Sequence, residues 1–430
     1  MSRAALLAHP ASFWGLLAAC AVATLTSWVE APWASPLAVT LLLLAALAAA
    51  RERRLVSGGQ LTPAWLLAAL PAWGLLQLLT GLSVYNNATL NAVTSWSALT
   101  AAFVLSARLC ASAERRHLFL TAFGTLAAAL GWFALIQPFA GALGLPFLIS
   151  AAPDAYAASF ANRNMYACFA ELALPVLLWL GLRNGVPRWH WLVHSGVLAC
   201  SVLLSGSRSG ALLIFSECVL FAFVFTRGQR LYWKLAFGAA AAALLAAAAL
   251  SDSSLAVRLQ YGDPLVFRRQ IYLSGVEMLA DRPLAGFGLG AFSAAYPAYA
   301  LFDNGRFVNL AHNDWLQIAV ETGLPGLALL VTFAALLLAA LGRSRWAYGV
   351  PFVLVHAIFD FPLHRIGVAA WLMVLAGALW AARPRGARLS PFAAGRLRVA
   401  GLRLPFAEDP RPLVPSPVDA SGRSSTTTGR

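Results

Sequence analysis

Charge is what this chain has least of. Only 11% of its 430 residues are Asp, Glu, Lys or Arg, against 60% hydrophobic, and the mean hydropathy is +0.72. A water-soluble domain carries about a quarter charged residues, so that class is excluded. Lysine is nearly missing: Lys234 stands alone, and every other cation is arginine. Cysteine is sparse as well. Cys20, Cys110, Cys168, Cys200 and Cys218 lie scattered in apolar runs without C-x-x-C spacing. That suggests neither a disulfide framework nor a zinc site, and they read as small core residues.

What the chain has instead is long apolar runs. A helix crossing a bilayer needs roughly 20 apolar residues, because lipid offers no partner to an unpaired amide. This predicts an all-α polytopic membrane protein with about twelve transmembrane helices, near 12–28, 36–50, 63–80, 91–109, 117–137, 165–182, 189–204, 209–226, 232–250, 321–341, 346–361 and 366–382. The first run lacks a convincing small-residue cleavage site and reads as a retained span. The chain then divides into helices 1–9 over 1–250, a loop over 251–320, helices 10–12 over 321–382, and a tail over 383–430. The tail, rich in Arg, Pro and Ser, reads as disordered.

A net charge of +14 suggests nucleic acid, but its placement does not. Of the 31 basic residues, 23 fall on one set of alternate loops and ends and 8 on the other. The excess marks the cytoplasmic side, with both termini there. Nucleic acid is therefore not an expected partner; membrane lipid is. The eight exceptions are Arg163, Arg208, Arg258, Arg268, Arg269, Arg282, Arg306 and Arg365. Orientation does not explain them, and arginine is the better forked partner for phosphate.

The one long polar interval runs from about Ser251 to Asp314. Within it, residues 264–279 read as a helix, with Leu265, Arg268, Arg269, Tyr272, Val276 and Leu279 at helical spacing and Asp281-Arg282-Pro283 ending it. The glycines of Gly286-Phe-Gly-Leu-Gly290 match a dinucleotide loop only superficially, since no strand precedes them. A short helix starts near Asn313 and ends before Gly323, where Gly323-Leu-Pro-Gly326 turns the chain into the tenth span.

His312 closes this interval. Two readings are open for it, an interfacial anchor or a general base with a pKa near the working pH. Arg258 and Arg306 read as solvated lip residues. Arg163, at the start of the sixth span, and Arg208, in a six-residue link flanked by Gly206 and Gly210, lie at the membrane surface by length alone. A lipid pyrophosphate presents its charge at that depth. Glu171 and Glu217 fall inside spans, where a carboxylate serves a proton path or pairs with an inward arginine. Asp360 is a candidate to orient His312 or hold an arginine. The external face has no D-x-D pair, which argues against a metal-dependent transferase using nucleotide sugars, and no cofactor is expected.

These residues resemble a known family. His312-Asn313, nine residues, Gly323, two residues and Gly326 match the H-[N/S/Q]-x9-G-x-x-[G/T/Y] pattern of the O-antigen ligases, within the O-antigen ligase/polymerase superfamily. Arg208-Ser-Gly-Ala-Leu212 resembles the companion R-x-x-x-L pattern. Arg269-Gln-Ile-Tyr272 resembles an arginine followed three residues on by an aromatic, usually Trp. Residues 281–290 and Asp360-Phe-Pro362 are also similar, so the resemblance covers roughly 155–365.

The resemblance implies a metal-independent, inverting glycosyltransferase of the GT-C type with a helical periplasmic loop between spans 9 and 10. Its donor would be undecaprenyl-pyrophosphate-linked O-antigen, and its acceptor lipid A-core in lipopolysaccharide biosynthesis. It implies His312 as base, Arg163, Arg208 and Arg269 with neighbouring Arg268 on the pyrophosphate, and Asn313, Asp360, Tyr272, Gly323 and Gly326 in support. An O-antigen polymerase or a protein-directed oligosaccharyltransferase would share the donor; the modest length, without an added periplasmic domain, favours the ligase. A lipid-linked glycan transporter would suit Glu171 and Glu217 but needs no one-sided histidine motif.

Overall fold

The computed structural model describes residues 9–29, 31–52, 62–137, 158–183, 188–225, 265–302, 305 and 307–382. Among them there is no strand. The α-helices are α1 (Ala11–Leu25), α2 (Ala34–Arg51), α3 (Thr62–Leu79), α4 (Asn86–Leu109), α5 (Ala113–Ile136), α6 (Arg163–Leu182), α7 (Trp189–Leu204), α8 (Arg208–Phe225), α9 (Val266–Asp281), α10 (Phe292–Ala295), α11 (Asp314–Ala340), α12 (Gly349–His356) and α13 (Ile366–Ala381). Six of them, α2 to α6 and α11, are long and apolar enough to cross a membrane, and α1, α7 and α13 are shorter apolar helices. This is a helical membrane protein.

Apolar runs become helices here because only a helix satisfies each amide within its own segment. Which helix sits inside follows from the rest. In α6, 89% of the apolar window is buried, and in α13 every residue from Gly367 to Trp380 is. A helix apolar on all sides belongs in the middle of a bundle. Trp371 of α13 lies 4.4 Å from the ring of Phe123 on α5 and donates its indole N–H to Thr24 Oγ1 at 2.7 Å. Outer helices turn Leu44, Leu47, Trp65 and Leu79 outward, where lipid tails receive them without cost.

Several of the expected segments are helices with nearly the expected bounds, including α7 and α8. The expected eleventh span, 346–361, differs: it holds a 3₁₀ turn and the eight-residue α12, ending at His356. Polar contacts made by His356 and Asp360 compete with the helix from that point. The expected span 232–250, Arg258, Arg306 and the tail lie outside the described residues.

Three helices begin in one polar cluster. Asn162 caps α6 through its side chain, Asn313 caps α11, and α13 starts just after the 3₁₀ turn Pro362–His364. The 20 residues of α6 carry the chain about 30 Å from that cluster to the other end of the bundle.

Candidate active site

The long interval docks by exploiting a break in α11. Gly323 has φ 71° and ψ −178°, so the first turns of α11 and the apolar remainder are two helices joined at a kink. A helix end leaves carbonyls without partners. Here Val320 O accepts from Phe287 N at 3.1 Å and Glu321 O from Gly288 N at 2.9 Å, while Leu324 N donates to Pro283 O at 2.8 Å. Gln77 at the end of α3 completes the seam, donating to Ala285 O and Glu321 O and accepting from Leu289 N. A Cβ on Gly323 would stand 2.4 Å from Leu284 O, and one on Gly286 2.4 Å from Glu321 O. The glycine of the histidine motif is therefore a docking position for the loop. The expected helix 264–279 is α9, Val266–Asp281, and it ends at the Asp-Arg-Pro signal.

His312 sits at the entrance to α11 in a left-handed backbone conformation, φ 53°. For a residue with a Cβ this costs about 1–3 kcal/mol and persists only where neighbours over-determine it. They do. Its carbonyl accepts from Tyr272 Oη at 2.8 Å, and Asp314 N, two residues on, donates to Ala357 O at 2.8 Å. Asn313 Oδ1 accepts from Leu316 N at 3.0 Å, and Ala311 N donates to Gln317 Oε1 at 2.9 Å. The ring packs edge-on against Phe361 at 4.9 Å.

The Nδ1 of His312 lies 3.3 Å from Oδ1 of Asp360, whose carboxylate is fully buried, while the imidazole is 32% exposed. A carboxylate accepts the Nδ1 proton and so leaves Nε2 with its lone pair, the tautomer a base needs. Asp360 also gathers the surrounding elements. Its Oδ2 accepts from Asn164 Nδ2 at 2.5 Å and from Arg268 Nη2 at 3.4 Å, and Arg268 Nη1 donates to Phe359 O at 2.5 Å. Burial pushes the Asp360 carboxyl up, but the His312 hydrogen bond and the Arg268 charge outweigh it and hold it below the usual carboxylate value.

A chain of contacts leads from Asp360 to the arginines expected on the donor. Asn164, which follows Arg163, accepts from Ser207 Oγ at 2.8 Å, and Ser207 precedes Arg208. Ser209, which follows Arg208, lies 2.9 Å from Nε2 of His356. Arg269 adjoins Arg268 and precedes Tyr272 by one helical turn. Arg163 opens α6 and Arg208 opens α8; both are half-buried, and Arg269 is exposed. The residues next to Arg163, Arg208 and Arg269 thus meet around His312, although these arginines are far apart in sequence. Arg268, the second choice of the adjacent pair, is the one on Asp360.

The sequence reading missed two histidines. His356 Nδ1 lies 2.7 Å from Oε1 of Glu171, both fully buried, so the partner of that carboxylate is a histidine and not an arginine. His356 lies in an apolar run, which is the same signal that singled out Glu171. Glu217 is 2% exposed and has no hydrogen-bond partner among the described residues. Cys168, Glu171 and His356 bring ligand atoms within 4.8 Å of one another, the one metal-like grouping among the described residues; the Glu171–His356 hydrogen bond accounts for two of its members without an ion. The second is His364, whose Nδ1 lies 2.5 Å from Oδ1 of Asp314, while Asp314 Oδ2 accepts from Leu363 N. Burial alone would lower its pKa, but Asp314 and then Glu321 raise it to about 10, so it is charged at neutral pH.

Fold and site together define a polytopic helical membrane protein with a histidine paired to a buried carboxylate where the segment before α11 meets the bundle. Residues 194–331, about a third of the chain, match the family model described as O-antigen ligase. This match supports membership of the O-antigen ligase superfamily, and the family suggests an activity of the ligase or polymerase type. The matched segment contains Arg208, Arg268, Arg269, His312, Gly323 and Gly326; Arg163 and Asp360 lie outside it. No curated protein matches the chain.

Proposed function

We propose that this protein is an O-antigen ligase, transferring a preassembled glycan from undecaprenyl pyrophosphate to a sugar of lipid A-core. The observation that carries the reading is the His312–Asp360 pair, tied through Asn164 and Ser207 to the starts of the two helices that bear Arg163 and Arg208. One carboxylate thereby links the group suited to an acceptor hydroxyl with the groups suited to a lipid pyrophosphate.

In the reaction, an acceptor hydroxyl oxygen attacks the anomeric carbon as the bond from that carbon to the pyrophosphate oxygen breaks. The hydroxyl proton passes to Nε2 of His312, and the electron pair of the broken bond leaves on the pyrophosphate. A single displacement inverts the anomeric centre. Arg163, Arg208 and Arg269 neutralise the leaving group, which lets guanidinium groups take the part of a metal. Arg268 and Tyr272 hold Asp360 and the His312 backbone in place. Asn313 caps the helix behind the base, and Gly323 and Gly326 shape the turn. The same reading carries twelve spans, a GT-C type fold, cytoplasmic termini and a periplasmic loop over 251–320 in a bacterial inner membrane; the loop's arginines then face the donor's leaflet.

The test is purified full-length protein with undecaprenyl-pyrophosphate glycan and lipid A-core, with and without chelator. Ligation predicts glycan on lipid A-core, chelator-insensitive and abolished in His312→Ala. Glycan chains extended on the donor lipid instead would assign polymerisation. Core-linked product undiminished in His312→Ala would remove the base from the scheme.

A further inference from the structure

The end of the bundle remote from His312 holds a cavity of about 490 Å³, of a size that suits a small ligand or headgroup. It forms where α5 begins, where α6 and α13 end, and where the 3₁₀ turn Arg345–Ala347 follows α11. Among the described residues its lining includes Arg116, His117, Arg183 and Arg345, and no carboxylate.

Positive charge at this end is expected from loop asymmetry alone. Three observations go beyond that. Cations from separate elements converge on one concavity, at an electrostatic cost that a bound anion would relieve. Two side-chain nitrogens of lining residues are buried without a hydrogen-bond partner among the described residues, Nε2 of His117 and Nε of Arg183. Neither is idle by poor placement: the Arg183 guanidinium rests over the Trp179 ring at 5.1 Å, and His117 Nδ1 lies 3.3 Å from Thr121 Oγ1. Buried donors of this kind call for an acceptor. The remaining wall is apolar and aromatic, with Leu120, Trp179, Leu182 and Trp346, the mixture found where headgroups meet hydrocarbon.

We propose that this cavity binds a phosphate group carried by an anionic membrane lipid, in the leaflet opposite the His312 site. The arginines take the phosphate oxygens, His117 Nε2 supplies a further donor, and the tryptophans cover the glycerol and the first acyl carbons. The proposal is independent of the reaction assigned above, since α6 separates the two ends by its full length.

The experiment uses the full-length protein in nanodiscs of phosphatidylcholine with increasing phosphatidylglycerol, reading retained lipid by native mass spectrometry. The wild type should retain one phosphatidylglycerol in saturable fashion. Arg116→Gln/Arg183→Gln/Arg345→Gln should weaken that retention about tenfold or more, while Arg51→Gln, an exposed arginine outside the cavity, should not. Inorganic phosphate is added as competitor: persistence of the lipid supports the lipid source, and its displacement by phosphate would overturn that source in favour of a soluble phosphate compound. Absence of any phosphatidylglycerol preference in the wild type, or equal loss in Arg51→Gln, would overturn the site. Should the triple variant fail to fold, the single Arg183→Gln and Arg345→Gln variants and the wild-type competition decide.

Discussion

Replacing Asp360 by Asn removes one charge and almost no volume, which makes it a sharp test of how His312 is held. Every group facing the carboxylate is a donor: His312 Nδ1 and Phe361 N on Oδ1, Asn164 Nδ2 and Arg268 Nη2 on Oδ2. An amide must turn its NH2 toward one of the two sets. Facing His312, it forces Nδ1 to accept, moves the ring proton to Nε2 and removes the base. Facing Asn164 and Arg268, it buries donor against donor, at about 1–3 kcal/mol, and leaves Arg268 without its counter-charge. A positioned base contributes about 10²–10⁴ in rate, so kcat should fall by that factor, about 2.7–5.4 kcal/mol in barrier. The KM for the lipid donor should move far less. The assay is turnover in the reconstituted system, with thermal unfolding as the check on folding. A kcat within about threefold of wild type, in a protein that unfolds normally, would refute the orienting role. Because the Asp360 pKa is depressed, its contribution to stability is present above the unfolded carboxylate value of about 4 and is lost as pH falls below that. Rate changes between about pH 5 and 8 must then come from other groups.

Arg208→Ala and Arg269→Ala should each lower donor binding or turnover about tenfold or more in the same assay; unchanged values in both would remove them from the pyrophosphate. The raised pKa of His364 gives stability that is fully present below the unfolded value of about 6.5 and lost as pH rises toward about 10, so thermal unfolding should weaken across that window. His364→Gln should flatten the dependence, and a slope equal to wild type would exclude the Asp314 pair as its source. Gly323→Ala adds a Cβ 2.4 Å from Leu284 O at a positive φ and should cost about 1–3 kcal/mol or more, read as a lower unfolding temperature.

Local chemistry made part of this legible in the sequence. Asn313 is a helix cap and Asp281-Arg282-Pro283 a stop, so α9 and the entrance to α11 follow from neighbours a few residues away. Apolar length gave α2, α7 and α8 within a residue or two of their ends, but it overcounted at 346–361, where polar contacts end α12 early. Asp360 was readable as a partner for His312 because both fall at the membrane surface. The pairings of Glu171 with His356 and of Asp314 with His364 were not, since each joins residues about 50 or more apart and depends on how helices pack. For the same reason nothing local distinguished Arg268, bound to Asp360, from Arg269 beside it.

The break at Gly323 has a consequence for how such a protein can diversify. The carbonyls it exposes fix residues 283–288 in register against α11 and α3, so an insertion or deletion there would unseat the loop and carry His312 with it. The length of that segment is thus fixed by backbone hydrogen bonds, whichever side chains the segment carries.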